Sequence, residues 1–174
     1  MSATSETQIV TASHPFAAAI RARDHRALVD TLAPDVSLHS AVTASPFEGR
    51  ATVADVYASV LESFEDLEVV EEFRSGDTYA FFWRGRIDGR FVEGADRLRL
   101  DGEGKVREIT ILGRPLSGLA TFISGIGVRF ARRRRGRVVA AILRLTALPL
   151  PAAFSLLDPV TRWMAKSGGR RGAR

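Results

Sequence analysis

The chain has no cysteine among its 174 residues. This absence excludes disulfides, thiolate catalysis and cysteine-ligated metals. Histidine is scarce too: His14, His25 and His39 lie far apart, without the short spacing that metal ligands show. The glycines at Gly102 and Gly104 lack the longer glycine-bracketed loop of a nucleotide site. We therefore expect neither a metal nor a cofactor.

The N-terminal stretch MSATSETQIVTAS has no basic start and no apolar core. A secretory leader needs both features, so none is predicted and a cytoplasmic location is expected. Lysine is rare, because Lys105 and Lys166 are the two lysines among 25 basic residues. This preference for arginine is more typical of genomic base composition than of a particular function.

Charge divides the chain into two parts. Residues 1–114 contain 13 basic and 19 acidic side chains, a net charge of −6, whereas residues 115–174 contain 12 basic side chains and the single acid Asp158, a net charge of +11. Such opposed halves indicate two parts with different purposes. We predict a flexible N-terminus at 1–12, a folded domain at 13–120, a basic, apolar helical extension at 121–165 and a disordered basic tail at 166–174.

The folded domain alternates helical and strand patterns. Apolar residues at helical spacing predict one helix over His14–Ala33 and another near Thr52, where Thr52 is the expected N-cap and Asp55 its capping-box partner. Val36–Val42 between them is typical of a strand. Four more strand-like runs follow, separated by hairpin signals. This order predicts an α+β fold, with helices packed on one face of a curved antiparallel sheet.

One acid lies on the apolar side of a predicted strand. Alternation along Phe91–Leu100 places Val92, Asp96 and Leu98 on the same face. A buried carboxyl costs several kcal/mol unless it is paired or protonated. Asp96 is therefore either a structural hydrogen-bonding group or a carboxyl with a role in a cavity, and the strand alone favours neither.

Three segments carry a family resemblance: Leu38-His39-Ser40, Phe47-Glu48-Gly49-Arg50 and the block from Gly94 to Pro115. In this order and spacing they resemble the SnoaL-like branch of the nuclear transport factor 2-like superfamily, over about residues 14–120. The resemblance implies a cone-shaped α+β barrel in which the helices and the concave sheet face enclose an apolar pocket. It also implies a homodimer formed through the outer sheet face. The superfamily contains isomerases, cyclases, epoxide hydrolases, dehydratases and non-catalytic domains, so the chemistry stays open.

Ketosteroid isomerases within this superfamily give one test of the chemistry. By resemblance, their oxyanion-binding carboxylic acid falls at Asp96, the tyrosine that shares the oxyanion falls near Phe16, and the carboxylate base falls near Ser40. Phe16 has no hydroxyl, and Ser40 cannot act as a base at neutral pH. Steroid isomerisation is therefore disfavoured.

Two functions remain open. The first is a module that binds a small lipophilic molecule in an apolar pocket; the second is a cofactor-independent acid–base enzyme of isomerase, polyketide cyclase or hydratase type, with Asp96 as its catalytic group. Tyr57, Tyr79, Trp83 and His39 are further polar candidates, with core packing favoured for Tyr57 and a solvated or interface position for His39. The predicted pocket residues are Phe16, Ile20, Leu38, Ser40, Tyr57, Leu61, Leu98 and Leu112.

The C-terminal extension places arginines before the apolar run Val138–Leu157. The run is long enough for a bilayer, but Arg144 and two prolines interrupt it, which argues against a simple span. Two alternatives stay open: peripheral contact with an anionic membrane surface at the inner face, or packing against the barrel or a partner subunit. Nucleic-acid binding is disfavoured, because no aromatic residues interleave with the arginines. The predicted contact residues are Arg132, Arg133, Arg134, Arg135 and Arg137.

Overall fold

The computed structural model describes residues 8–9 and 13–136. These residues form four helices and seven strands. The helices are α1 (Pro15–Ala22), α2 (His25–Asp30), α3 (Arg50–Ser63) and α4 (Leu116–Arg135), and the strands are β1 (Gln8–Ile9), β2 (Leu32–His39), β3 (Phe47–Glu48), β4 (Glu68–Ser75), β5 (Thr78–Ile87), β6 (Arg90–Leu100) and β7 (Val106–Arg114).

The strands form one sheet in the order β1-β4-β5-β6-β7-β2-β3. Its centre is the antiparallel meander from β4 to β7 that the hairpin signals predict. β2 instead runs parallel to β7, which corrects the expectation of a wholly antiparallel sheet. The parallel pair is possible because α3 and the meander lie between the two strands in sequence and supply the crossover. The predicted α+β class with a curved sheet and N-terminal helices is confirmed. β1, which pairs with β4, falls where the sequence predicts no element.

The helix predicted over His14–Ala33 is in fact two helices. Arg23 ends α1 in the left-handed conformation with φ of 54°. Asp24 then caps α2 by accepting a hydrogen bond from the backbone N–H of Ala27 at 3.0 Å. The Arg23 guanidinium reaches the end of α3 and donates to the carbonyl of Leu61 at 3.1 Å. Carbonyls at a helix end need such a donor, so the break also joins α1 to α3.

Two element boundaries also differ from prediction. α3 begins at Arg50, and its N-cap is Gly49, without a side-chain cap hydrogen bond, so the capping box of Thr52 and Asp55 is wrong. Glycine suits this position because its φ is 82°, in the region that disfavours other residues. β2 starts at Leu32 and is irregular before Ser37, earlier than the strand predicted from Val36.

The core lies between the helices and the concave face of the sheet. Along β5, Tyr79, Phe81 and Trp83 are buried on that face, as strand alternation requires. Phe16 of α1 and Tyr57 of α3 pack over them, with their ring centroids 5.1 Å apart in an edge-to-face arrangement. Aromatic side chains from α1, α3 and β5 thus meet in the interior.

α4 packs beside α3 and against the concave face. Ile126 joins the core, and the ring of Phe130 packs edge-on to Phe47 of β3 with centroids 5.4 Å apart. Within residues 8–9 and 13–136, no helix has the length and apolar character needed to cross a membrane.

Candidate functional site

Asp96 lies at the centre of the concave face. It pairs across the sheet with Phe81 of β5 and Ile111 of β7, and all three side chains point inward. Its exposed fraction is 3%, so water barely reaches the carboxyl. The alternation along β6 therefore carries an acid into an apolar interior, as the sequence predicts.

Two buried donors hold the carboxyl. The hydroxyl of Tyr57 on α3 donates to Oδ2 at 2.7 Å. The indole N–H of Trp83 on β5 donates to Oδ1 at 2.8 Å. Because each carboxylate oxygen accepts one hydrogen bond, the site can hold an ionised carboxyl that would otherwise be costly to bury.

The donors are themselves fixed by packing. Phe16 holds the ring of Tyr57 on one side. The ring of Trp83 lies over Gly94, where a Cβ atom would come within 2.5 Å of its Cζ2. Phe64, at the end of α3, packs edge-on to the same indole with centroids 5.6 Å apart. Glycine at 94 thus leaves the space in which Trp83 can lie across β6 toward Asp96.

Burial raises the pKa of Asp96 from 3.8 to about 6. The hydrogen bonds from Tyr57 and Trp83 act against this shift, because they stabilise the ionised form. Burial, with the nearby Asp96 charge, raises the pKa of Tyr57 well above its ordinary value of 10, so the phenol keeps its proton and donates. At neutral pH Asp96 is mostly ionised and accepts hydrogen bonds, unlike the protonated, donating acid that the resemblance to ketosteroid isomerases implies.

A cavity of about 20 Å³ adjoins the carboxyl. This volume has room for about one water molecule. The polar side chains at the cavity are those of Tyr57, Trp83 and Asp96, and the other lining residues are apolar: Ile20, Val60, Phe64, Leu67, Phe81 and Ile111.

The predicted pocket residues fall into four groups. Ile20 and Tyr57 line the cavity. Ser40 lies in the loop after β2, where its hydroxyl accepts a hydrogen bond from the backbone N–H of Val42. Leu112 lies on the outer sheet face and is 62% exposed, which corrects its placement in the pocket, because alternation along β7 turns Ile111 inward instead. The remaining four are buried in the core but do not line the cavity: Phe16, Leu38, Leu61 and Leu98.

Two other polar candidates lie away from Asp96. Tyr79 is buried, but its hydroxyl donates to Glu72 at the rim of the sheet, where Arg21 pairs with the same carboxylate. His39 is exposed. Neither takes part in the site. In residues 8–9 and 13–136 no three histidine, cysteine, aspartate or glutamate side chains cluster as metal ligands would.

Two arginines of the extension contact α3, whereas the predicted contact residue Arg132 is exposed. Arg133 forms an ion pair with Glu62, and Arg134 with Asp55 through Nε and Oδ2 at 2.7 Å. Packing of residues 116–135 against the barrel is therefore observed. The side chain of Arg135, Arg137 and the apolar run lie outside the described residues, so contact with an anionic membrane stays a prediction.

The curved sheet wrapped on helices places the chain in the nuclear transport factor 2-like class of proteins. Within that class the chain belongs to the SnoaL-like domain family, which its sequence matches over residues 14–109. No curated protein matches the chain.

Solved structures share this fold. A steroid delta-isomerase from Pseudomonas aeruginosa is 25% identical, with a TM-score of 0.62 over 75% of this chain and 98% of that one. An uncharacterised protein with a cystatin-like fold from Silicibacter pomeroyi is 20% identical, with a TM-score of 0.63 over 68% of this chain and 87% of its own. A nuclear transport factor 2-like protein from Mesorhizobium loti is 21% identical, with a TM-score of 0.53 over 57% of this chain and 85% of that one.

Proposed function

We propose that the protein binds a small hydrophobic molecule whose one polar group, a hydroxyl, donates a hydrogen bond to Asp96. The observation that carries this proposal is a buried carboxyl held by Tyr57 and Trp83 inside an otherwise apolar interior. Apolar walls with a few convergent polar groups are typical of sites for small ligands. The apolar walls would supply affinity and the carboxylate would select a ligand with a donor.

Binding of 2-naphthol, a bicyclic phenol, tests the proposal by its own fluorescence. Asp96→Asn is expected to weaken binding about tenfold or more at neutral pH, since a hydrogen bond to a charged group contributes about 1.5–3 kcal/mol. The matched control is Glu103→Gln, which removes an exposed carboxyl in the turn after β6. Equal affinity in wild type and both variants would contradict a role for Asp96, and absence of binding in wild type would contradict a site for this ligand class.

The alternative is proton transfer by Asp96 at a carbon next to a carbonyl. A carboxyl with a pKa of about 6 suits a general base near neutral pH, and one relative, 25% identical, is named a steroid delta-isomerase. The test is deuterium exchange at the acidic carbon of 2-tetralone, a bicyclic ketone: Asp96 would accept the proton, and a solvent deuteron would replace it. Asp96→Asn is expected to slow exchange by about 10²- to 10⁴-fold. If 2-tetralone exchanges no faster with the protein than in buffer, proton transfer by Asp96 is contradicted and only the binding role stands.

We also propose a homodimer through the outer sheet face. Val70, Phe82 and Leu112 are 43%, 47% and 62% exposed there. They line one groove whose rim carries both charges, including Arg84 and Glu93. Such a face can meet a second copy of itself related by a two-fold axis.

The dimer proposal is tested by sedimentation velocity. Leu112→Glu would bury a charge in the interface and is expected to convert a dimer into a monomer. Val42→Glu is the control, since Val42 is 37% exposed in the loop after β2, outside the groove. A monomeric wild type, or a Leu112→Glu variant that stays dimeric, would rule the interface out.

A further inference from the structure

We propose that α4 is a movable cover of the Asp96 site, and that a ligand enters when α4 separates from α3 and the sheet. This inference rests on the proposed ligand site. A cavity of about 20 Å³ cannot hold a bicyclic molecule, so part of the interior must move before such a ligand can bind. The question is which element moves.

α4 covers the sheet directly beside Trp83. Trp83, Gly94 and Gly113 are cross-strand neighbours on β5, β6 and β7. The Trp83 ring lies over Gly94, and Leu119 of α4 lies over Gly113, where a Cβ atom would be 2.8 Å from its Cδ2. Moving Leu119 away would therefore open space next to the indole that holds Asp96.

The cover continues along the concave face. Gly118 lies against Val92, where an added Cβ would be 3.2 Å from the Val92 Cβ. Further along the helix, Gly125 lies against Ile87, with a corresponding distance of 3.5 Å to its Cγ2. α4 thus fills the end of the interior beyond Trp83, between α3 and the sheet.

Two ion pairs lie at the exposed edge of the contact with α3, whereas Ile126 of α4 is buried. Side chains in the pairs Arg133–Glu62 and Arg134–Asp55 are 31% to 54% exposed. Exposed ion pairs contribute little to stability and are screened by salt. The helix itself is also weakened by glycine: Gly127 has no atom within 4 Å of a built Cβ, so it has no packing role that offsets its poor helix propensity.

Quenching of Trp83 fluorescence by acrylamide measures opening without any ligand. Trp83 and Trp163 are the two tryptophans, so Trp163→Phe leaves Trp83 as the reporter. In that background Arg133→Glu with Arg134→Glu is expected to raise the quenching constant about threefold or more, by repulsion from α3. Adding Glu62→Arg and Asp55→Arg should restore the original value, and Gly127→Ala should lower it. Identical constants in all four proteins would overturn the proposal.

A cross-link tests whether opening controls entry. The chain has no cysteine, so Glu62→Cys with Arg133→Cys gives one pair that a short bis-maleimide can join. Joining it is expected to slow 2-naphthol uptake about tenfold or more. The control joins Asp77→Cys in the β4–β5 turn to Arg99→Cys on β6, an exposed pair that does not involve α4.

The two arms separate failure of the cover from failure of the ligand site. Unchanged uptake after cross-linking α3 to α4 would overturn the cover, since entry would then take another route. If no form binds 2-naphthol, the proposed function fails for this ligand class, while the Trp83 quenching series still decides whether α4 opens.

Discussion

Asp96→Asn is expected to change the free energy of unfolding, relative to wild type, by about 3 kcal/mol between acidic and neutral pH. The pKa of Asp96 is about 6 in the folded protein, against 3.8 for the free group. Each pKa unit corresponds to about 1.4 kcal/mol of differential stability, so a rise of roughly two units gives an effect of that size. Asparagine does not ionise and carries no such dependence.

The sign follows from which state holds the proton more tightly. Below the unfolded pKa of 3.8 both states of the wild type are protonated, and the stability associated with Asp96 is fully present. As pH rises from there toward about 6, the unfolded chain loses its proton first, so the wild type loses stability. Above about 6 both states are ionised and the loss is constant. The stability of the Asp96→Asn variant relative to the wild type should therefore increase as pH rises.

Urea unfolding of both proteins at several values from about pH 4 to about pH 8 measures this difference. The amide introduced by Asp96→Asn also leaves either Tyr57 or Trp83 without its acceptor. This loss lowers the free energy of unfolding of the variant by the same amount at every pH, so it does not change the pH dependence. The free energy of unfolding of the Glu103→Gln control should follow that of the wild type as the pH changes. A difference that stays flat would show that the pKa of Asp96 is not raised. A difference of opposite sign would show that the two hydrogen bonds outweigh burial.

Local periodicity predicts the inward direction of Asp96 but not its partners. Alternation has a period of two, so Val92 and Leu98 suffice to place the carboxyl on the concave face. Tyr57 and Trp83 are distant in sequence, and nothing in their own elements shows that they converge on one acid. The sequence favours core packing for Tyr57, and its ring is indeed buried. Its hydroxyl also donates to the Asp96 carboxyl, which the sequence does not predict.

Other features depend on contacts that periodicity cannot express. The break at Arg23 has neither proline nor glycine, so the helical pattern continues through it, and the left-handed residue is held by its contact with α3. Leu112 has the same parity in β7 as the buried Val106, and it lies outside because the pairing of β6 with β7 shifts between Arg99 and Leu100, which alternation alone cannot express. The position of α4 over Gly113 has no local signal at all, since it is set by strands β5 to β7 and by α3.

Gly94→Ala is expected to destabilise the protein by about 3 kcal/mol and to disturb the carboxyl site at the same time. A methyl group at this position would meet the carbonyl oxygen of Leu112 on β7 and come within 2.5 Å of the Trp83 ring. Either β6 and β7 separate locally or the indole rotates away and withdraws its N–H from Asp96. The second response raises the pKa of Asp96 further, because a hydrogen bond to the ionised form is lost.

Two controls distinguish this strain from a general intolerance of glycine replacement. Gly102→Ala adds its methyl to open space in the turn after β6 and should leave the free energy of unfolding nearly unchanged. Trp83→Leu in the Gly94→Ala background removes the clash with the ring but not the clash with the backbone of Leu112. In a double-mutant cycle, Gly94→Ala should therefore cost less stability in the Trp83→Leu background than in the wild type, but still more than zero. A Gly94→Ala protein as stable as wild type, with Trp83 equally protected from acrylamide, would mean that the indole does not depend on glycine for its place beside the carboxyl.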